Sequence, residues 1–265
     1  MSEASASSLS VDTGYVALPR AASRLDRIAW ALTKPANIRR WYLMAWVIGI
    51  ACTAVAFCVV AFVLPEGSDI AGTVAFYQKY NMPLRVLSAL LALLFLVGAV
   101  WSGAFIGTLW AADPSRNRVY TWSAIFSEML VMGLFFVEAG LIASATLLSG
   151  HAPDSTIHLL HICVAVSAAL LGPAWIPFTL AALFISRRTD LFPPWFGKLC
   201  IAVIVIDICT ITGVFTLSGP LNGANGLVGA FAGALSPIVW IVGVVAWEVV
   251  EWAQYRTSIR SAATN

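Results

Sequence analysis

The chain has 265 residues, of which 60% are hydrophobic and 11% are charged, and its mean hydropathy is +0.87. Because soluble domains usually carry about 25% charged residues, this composition indicates an integral membrane protein and excludes a soluble domain. The formal net charge of +2 is too small to favour nucleic acid as a partner. We therefore expect the lipid bilayer as the principal partner and no binding of nucleic acid.

About forty residues precede the first long apolar run. Met1 to about Pro19 is rich in Ser and Ala without periodicity, which is typical of a disordered tail. Ala21–Thr33 places apolar residues at helical spacing, which favours an amphipathic helix on the membrane surface. No short signal-peptide core starts the chain. We assign residues 1–40 to a disordered cytoplasmic tail. Its second half either forms this interfacial helix or remains disordered.

Residues 41–253 contain six apolar segments that are each long enough to cross a bilayer, which takes about 20 residues. They predict an all-α polytopic bundle with transmembrane helices near Trp41–Leu64, Leu84–Ala112, Thr121–Leu148, Ile157–Ser186, Phe196–Leu217 and Gly226–Glu248. The segments between them, among them Pro65–Pro83, are rich in Pro, Gly, Asp, Asn or Ser, which is typical of turns. Residues 254–265 form a second predicted tail.

Lysine and arginine are distributed unequally between the two sides of this predicted bundle. Of the 15 in the chain, all but Lys79 and Arg85 fall in the N-terminal tail, the second and fourth loops or the C-terminal tail. Loops rich in Lys and Arg stay in the cytoplasm. The pattern therefore places both termini in the cytoplasm, in agreement with an even number of spans.

Three predicted spans carry an acid or a helix-breaking residue near their centres. Glu138 lies in the third span, Gly172 and Pro173 in the fourth, and Asp207 in the fifth. Ionisable groups at this depth are costly to bury and are functional candidates. A protonated acid that hydrogen-bonds a neighbouring helix is an equally good explanation. Two acids at one depth are also able to share a proton.

A further set of residues accompanies these acids. An indole N–H near the centre of a span needs a partner inside the bundle. A proline removes a helical hydrogen bond, which predicts a kink or a local opening of the helix. Glu128 lies nearer the cytoplasmic surface and is interpreted as an entrance or packing residue. Simple packing kinks are the alternative for the prolines. The candidate substrate-binding residues are Trp101, Trp175, Trp240, Glu128, Pro173 and Pro237.

Asp154, His158 and His161 recur at i, i+4 and i+7 at the start of the fourth span. Two imidazoles and a carboxylate on one helix face are able to bind a divalent metal. The alternatives are Asp154 as a helix N-cap and histidines at the headgroup level. We predict that the protein binds no metal and no other cofactor. A metal site formed by Asp154, His158 and His161 is kept as the alternative.

Three short motifs resemble those of a group of six-span bacterial, mainly actinobacterial, membrane proteins. They are Trp101-Ser102-Gly103-Ala104-Phe105, Phe192-Pro193-Pro194-Trp195-Phe196-Gly197 and Ser218-Gly219-Pro220-Leu221-Asn222-Gly223. The resemblance covers roughly residue 84 to the C-terminus and implies six spans in a bacterial plasma membrane. It implies no activity and no catalytic residues.

The favoured functional hypothesis is an intramembrane pocket for a lipophilic small molecule such as an isoprenoid or another lipid. If the protein is an enzyme, the pocket suits acid-initiated cyclisation or isomerisation, for example of a terpenoid. Glu138 would donate the proton, Asp207 would be its partner or the terminal base, and aromatic faces would stabilise the cation. The alternatives are a proton-coupled transporter and a non-catalytic subunit or scaffold of a membrane complex. No particular protein partner is predicted.

Overall fold

The computed structural model describes residues 64–189, 192–233, 236–244 and 246–247, without the side chains of 94–98, 100, 101, 104, 108 and 231. All of these residues belong to the unit Leu43–Asn265 of the chain. The predicted tails at 1–40 and 254–265 lie outside the described residues. So does the first predicted span, apart from Leu64.

The described residues form helices and turns, with no β-strand among them. The α-helices are α1 (Ile70–Lys79), α2 (Asn81–Ala112), α3 (Val119–Leu148), α4 (Asp154–Arg188), α5 (Pro194–Thr210) and α6 (236–244). Short 3₁₀ turns at Arg116–Arg118 and Ile211–Val214 adjoin α3 and α5, and a π-helical turn covers Leu227–Ala232.

Three helical segments of the described chain are long and apolar enough to cross a membrane, namely Arg116–Leu148, Asp154–Arg188 and Pro194–Val214. Their outward faces carry large apolar side chains such as Phe126, which is 66% exposed. Exposed apolar surface of this extent is expected where a helix faces lipid rather than water. The chain is therefore a helical membrane protein, and these segments lie close to the predicted spans.

The segment Pro65–Pro83, predicted as a turn, contains the helix α1. Asp69 caps its first turn, because the Asp69 Oδ1 accepts a hydrogen bond of 2.8 Å from the Gly72 N–H. The helix buries Phe76 and Tyr77 in a core shared with the adjoining ends of α2, α3 and α4. The predicted turn is therefore present at Gly67 and Ser68, but Asp69 caps a helix that the sequence does not predict.

Small residues bring α4 and α5 close together. A methyl group added at Gly172 would lie 2.5 Å from the Thr210 Oγ1 and 3.2 Å from the Asp207 Cα. Gly213 lies against Ala169 in the same way, since a methyl group there would be 2.7 Å from the Ala169 Cβ. Such small-residue contacts are typical of helices that pack inside a membrane.

The bundle has two chemically different ends. At one end, called the basic end, the Arg188 guanidinium lies 5.6 Å from the centre of the Tyr120 ring. At the other end, called the histidine end, the Asn81 Nδ2 donates to the Thr146 carbonyl oxygen at 2.7 Å, and His158 contacts the loop before α1. Helices α3 and α4 are therefore antiparallel.

The turn at the basic end between α2 and α3 is organised by the buried carboxylate of Asp113. Its Oδ1 accepts from the Ser115 N–H at 2.8 Å and the hydroxyl at 2.5 Å, and its Oδ2 accepts from the Thr121 N–H and hydroxyl at 2.8 Å each. Burial raises the pKa of Asp113, but these hydrogen bonds outweigh it and hold the pKa below its ordinary value. The turn also places Asn117 and Arg118 at positive φ.

Candidate binding site within the helix bundle

Helix α4 continues through both of its prolines, so the predicted opening at Pro173 is absent from the described helix. Pro173 has no N–H to donate to the carbonyl oxygen of Ala169, four residues earlier. The Thr210 hydroxyl on α5 lies 3.3 Å from that oxygen and 2.7 Å from the Asp207 carbonyl oxygen, and shares its single proton between them. A side chain from the neighbouring helix thus compensates the missing backbone donor.

Ser127 on α3 supports α4 one turn further along. The buried Ser127 hydroxyl donates to the Ala174 carbonyl oxygen at 2.5 Å and accepts from the Phe178 N–H at 3.1 Å. It therefore joins the two ends of one helical hydrogen bond next to Pro177. The sequence does not predict this role of Ser127, because a single serine in an apolar run does not reveal which helix it faces.

Glu128 is buried between α3 and α2, with 6% of the residue exposed. Its Oε1 accepts a hydrogen bond of 2.5 Å from the Ser102 hydroxyl on α2. Its Oε2 is buried and has no hydrogen-bond partner among the residues that the structure describes. One half of this carboxyl group is thus satisfied, and the other half is not.

Asp207 on α5 shows the same arrangement and is fully buried. Its Oδ1 accepts from the Ser236 hydroxyl on α6, whereas its Oδ2 is buried and has no hydrogen-bond partner in the described part of the chain. The nearby hydroxyls of Thr210 and Thr212 donate to backbone carbonyl oxygens instead. Its partner therefore comes from another helix, one turn before Trp240.

An aromatic cluster of five side chains fills the space between α2, α4, α5 and α6, and consists of Phe105, Trp175, Phe178, Phe196 and Trp240. Ring centres are 4.4 Å apart for Trp175 and Phe178 and 5.8 Å apart for Trp175 and Trp240. Phe105 and Phe196 lie 5.3 Å and 5.7 Å from Trp240. The Trp240 Nε1 donates to the Cys200 Sγ at 3.3 Å, but the buried Trp175 Nε1 has no hydrogen-bond partner within the described ranges.

Both acids border this aromatic cluster through their serine partners. Ser102 precedes Phe105 by three residues on α2, and Ser236 precedes Trp240 by four residues on α6, so each serine lies about one helical turn from a ring of the cluster. Trp175 follows directly after Ala174, which Ser127 contacts next to Glu128. Each acid is therefore hydrogen-bonded to a serine that lies about one helical turn from the aromatic cluster.

Glu138 lies elsewhere along the bundle. It is ten residues beyond Glu128 on α3, or about 15 Å at 1.5 Å per residue, in the direction of the histidine end. Its Oε2 is also buried without a partner. Burial raises the pKa of the Tyr77 phenol, and the negative charge of Glu138 raises it further, so Glu138 lies within electrostatic reach of Tyr77.

The histidines of the suggested metal site hold the loop before α1. The His158 Nε2 donates to the Gly67 carbonyl oxygen at 2.7 Å, and the His161 Nε2 donates to the Pro65 carbonyl oxygen at 3.2 Å. The Tyr77 hydroxyl lies 3.4 Å from the His161 Nδ1. Asp154 lies in the first turn of α4 without capping it by its side chain. Among the described residues, no group of three or more His, Cys, Asp or Glu side chains could hold a metal ion.

Two other candidates occupy less informative positions. Trp101 lies on α2, and its side chain is outside the described part of the structure. Pro237 lies in the first turn of α6 as described, directly after Ser236, and is half-buried. Ser236 rather than Pro237 makes the polar contact with Asp207.

The fold and the site define a helical membrane protein. Inside its bundle, the carboxyl groups of Glu128 and Asp207 each have one hydrogen-bonded oxygen. Comparisons with protein-family models, with curated proteins and with solved structures found no match for this chain. Its function is therefore inferred from its own residues.

Proposed function

We propose that the protein binds a lipophilic small molecule inside the helix bundle, at the aromatic cluster between Glu128 and Asp207. The supporting observation is that Trp175 Nε1 in this cluster, and Glu128 Oε2 and Asp207 Oδ2 on the acids that border it, are buried without a hydrogen-bond partner among the described residues. Buried polar groups are nearly always hydrogen-bonded, because leaving one unpaired costs about 1–3 kcal/mol. A ligand that carries a hydrogen-bond acceptor would satisfy these atoms.

The chemistry of the three atoms narrows the class of ligand. An unpaired carboxylate is expensive to bury, so each carboxyl group is expected as the neutral acid, whose second oxygen donates a proton. The Trp175 N–H is a donor as well. The ligand would therefore be mainly hydrocarbon, with a hydroxyl, carbonyl or epoxide oxygen, as in an isoprenoid or another lipid.

The same arrangement suits acid-initiated chemistry on such a ligand. A carboxyl group of the site protonates an alkene or an epoxide, the carbocation lies against the aromatic faces, and the rearranged cation returns a proton to the carboxylate that was formed. Glu128 takes the role of donor in this proposal, with Asp207 as its partner. Glu138, the donor suggested by the sequence, lies about 15 Å further along α3 than Glu128 and within electrostatic reach of Tyr77.

The proposal is tested by the molecules that the protein retains on purification. The protein is isolated from membranes in mild detergent, extracted with organic solvent and analysed by mass spectrometry. We expect a retained lipophilic molecule to decrease about 10-fold in Glu128→Leu and in Asp207→Leu, because each removes a hydrogen-bond donor to the ligand, whereas an amide side chain would still donate through its NH₂ group. Glu138→Leu is the matched control and should retain it.

Two results would contradict this proposal. One is wild-type protein that retains no lipophilic molecule above the level of the bulk lipid. The other is equal retention by the wild type, Glu128→Leu and Asp207→Leu, with all three folded by circular dichroism. If the variants lose only stability and never held a ligand, the acids join helices and the scaffold alternative is favoured.

Proton-coupled transport is the second candidate, and the position of Glu138 favours it. Glu138 lies between the level of Glu128 and the contact of Tyr77 with His161 at the histidine end, so titratable groups succeed one another along the bundle. The test is proton flux into liposomes under a pH gradient. Transport predicts that Glu138→Gln abolishes flux, whereas a binding site confined to the aromatic cluster predicts no effect.

We further propose that the bundle has six spans in a bacterial plasma membrane, with both termini in the cytoplasm. The three long apolar helices support spanning, and the arginines at the basic end support a cytoplasmic position for that end. Phosphatase fusions test this topology. A fusion after Gly150 should be active and one after Thr189 inactive, and the reverse pattern would contradict the orientation.

A further inference from the structure

We propose that a groove at the basic end binds the phosphate headgroup of an anionic membrane lipid. The groove has a volume of about 590 Å³ and lies between the end of α4, the start of α5 and Trp247. Pockets of about 300–1,000 Å³ hold small ligands, so this volume suffices for a lipid headgroup. Lys198 of the groove precedes Asp207 by nine residues on α5, or about 14 Å.

Two cationic side chains from different helices line the groove. Arg187 lies in the last turn of α4, and Lys198 lies in the second turn of α5. Both are exposed, and neither forms an ion pair with a described residue. A guanidinium donates two parallel hydrogen bonds to a phosphate, and an ammonium adds a mobile point charge. The pair therefore complements a phosphate group between the two helices.

The hydroxyl groups of the lining differ in what they offer. The Thr189 hydroxyl already donates to the Ile185 carbonyl oxygen at 2.8 Å. The Ser186 hydroxyl lines the same groove without a hydrogen bond to a described residue. Ser186 therefore supplies a third donor beside the two cations.

The apolar part of the lining favours a lipid over a free phosphate ion. Phe192 and Trp247 form one wall, with their ring centres 4.9 Å apart. Ile201 is 42% exposed and lies about one turn deeper along α5 than Lys198. A hydrated phosphate ion gains nothing from these groups, whereas the first carbons of acyl chains would pack against them. Basic pockets between spanning helices are known lipid-headgroup sites.

Native mass spectrometry of the full-length protein tests the proposal. Short-chain phosphatidylglycerol, phosphatidylcholine and inorganic phosphate are the three probes. We expect phosphatidylglycerol adducts in preference to phosphatidylcholine, with a half-saturating concentration that rises about 10-fold in Arg187→Gln/Lys198→Gln. The matched control is Arg116→Gln/Arg188→Gln, which removes two charges from the same end outside the groove and should leave that concentration within about twofold.

The remaining outcomes would overturn it. An equal rise in both double variants would mean diffuse attraction by charge, and equal adducts with phosphatidylcholine would mean no headgroup selection. Displacement of phosphatidylglycerol by millimolar inorganic phosphate would mean a free-anion site. Arg187→Gln/Lys198→Gln should unfold at the same temperature as the wild type, because both cations are exposed. If this double variant does not fold, Lys198→Gln alone provides the comparison and must raise the half-saturating concentration of phosphatidylglycerol.

Discussion

The polar chemistry of this bundle depends on single hydroxyl groups that cross from one helix to the next. Ser102 binds Glu128, Ser236 binds Asp207, and Ser127 joins two backbone groups of α4. Each acid receives one hydrogen bond to one of its two oxygens. The resulting half-satisfied acids are the reason to infer a ligand at the aromatic cluster.

Replacing Ser127 tests whether its hydroxyl stabilises α4 beside Pro177. Ser127→Ala should lower the free energy of unfolding by about 1–3 kcal/mol, because it leaves the Ala174 carbonyl oxygen and the Phe178 N–H without this buried partner. Chemical unfolding in detergent micelles measures the change. Ser123→Ala, four residues earlier on an exposed position of α3, is the control and should change it by under about 0.5 kcal/mol. Equal effects would refute this role.

Asp113 predicts a dependence of stability on pH. Its folded pKa lies below the ordinary value of 3.8, so its charged form stabilises the fold above the unfolded pKa, and this contribution is lost as the pH falls through the folded pKa. Asp113→Asn replaces one carboxylate oxygen by an NH₂ group and therefore cannot accept all four hydrogen bonds from Ser115 and Thr121. The stability advantage of the wild type over Asp113→Asn, measured by thermal unfolding, should therefore be constant near neutral pH and shrink below about pH 4. An advantage unchanged at about pH 3 would contradict the assignment.

At the scale of elements, the sequence predicts where the long helices lie but not which faces meet. Apolar runs of membrane length locate α3, α4 and α5, because length and hydropathy are local properties of the chain. Helix α1 is not predicted by the sequence, because Gly67 and Ser68 do form the expected turn but Asp69, directly after it, is the N-cap of a helix. The contact between Ser236 and Asp207 depends on how α5 and α6 are rotated about their axes. A single sequence does not reveal this rotation.

The close contact of α4 with α5 gives a prediction at the scale of elements. Gly172→Ala should lower the free energy of unfolding by about 1–3 kcal/mol, because its methyl group would press against Thr210 and the backbone of Asp207. Gly140→Ala on α3 is the matched control, since a methyl group there meets nothing within 4 Å. The same denaturation experiment compares them. A Gly172→Ala protein as stable as Gly140→Ala would show that the helices are not in this contact.

At the scale of the whole molecule, α4 is the element to which the site is attached. It contacts α3 through Ser127, α5 through Gly172 and α6 through Trp175, and helix α1 packs against its histidine end. The prolines of α4 are compatible with this role because side chains of α3 and α5 bind the neighbouring backbone groups. The functional proposal thus rests on one helix held in place by hydroxyls from both sides.

An experimental density map of the protein purified in lipid nanodiscs tests the central claim most directly. We expect elongated non-protein density against the rings of Trp175 and Trp240, within hydrogen-bonding distance of Glu128 Oε2, Trp175 Nε1 or Asp207 Oδ2. In Glu128→Leu/Asp207→Leu, prepared in parallel, that density should disappear while the helices keep their positions. A map in which the three atoms are bound by protein groups, with the rings packed and no density between them, would contradict it.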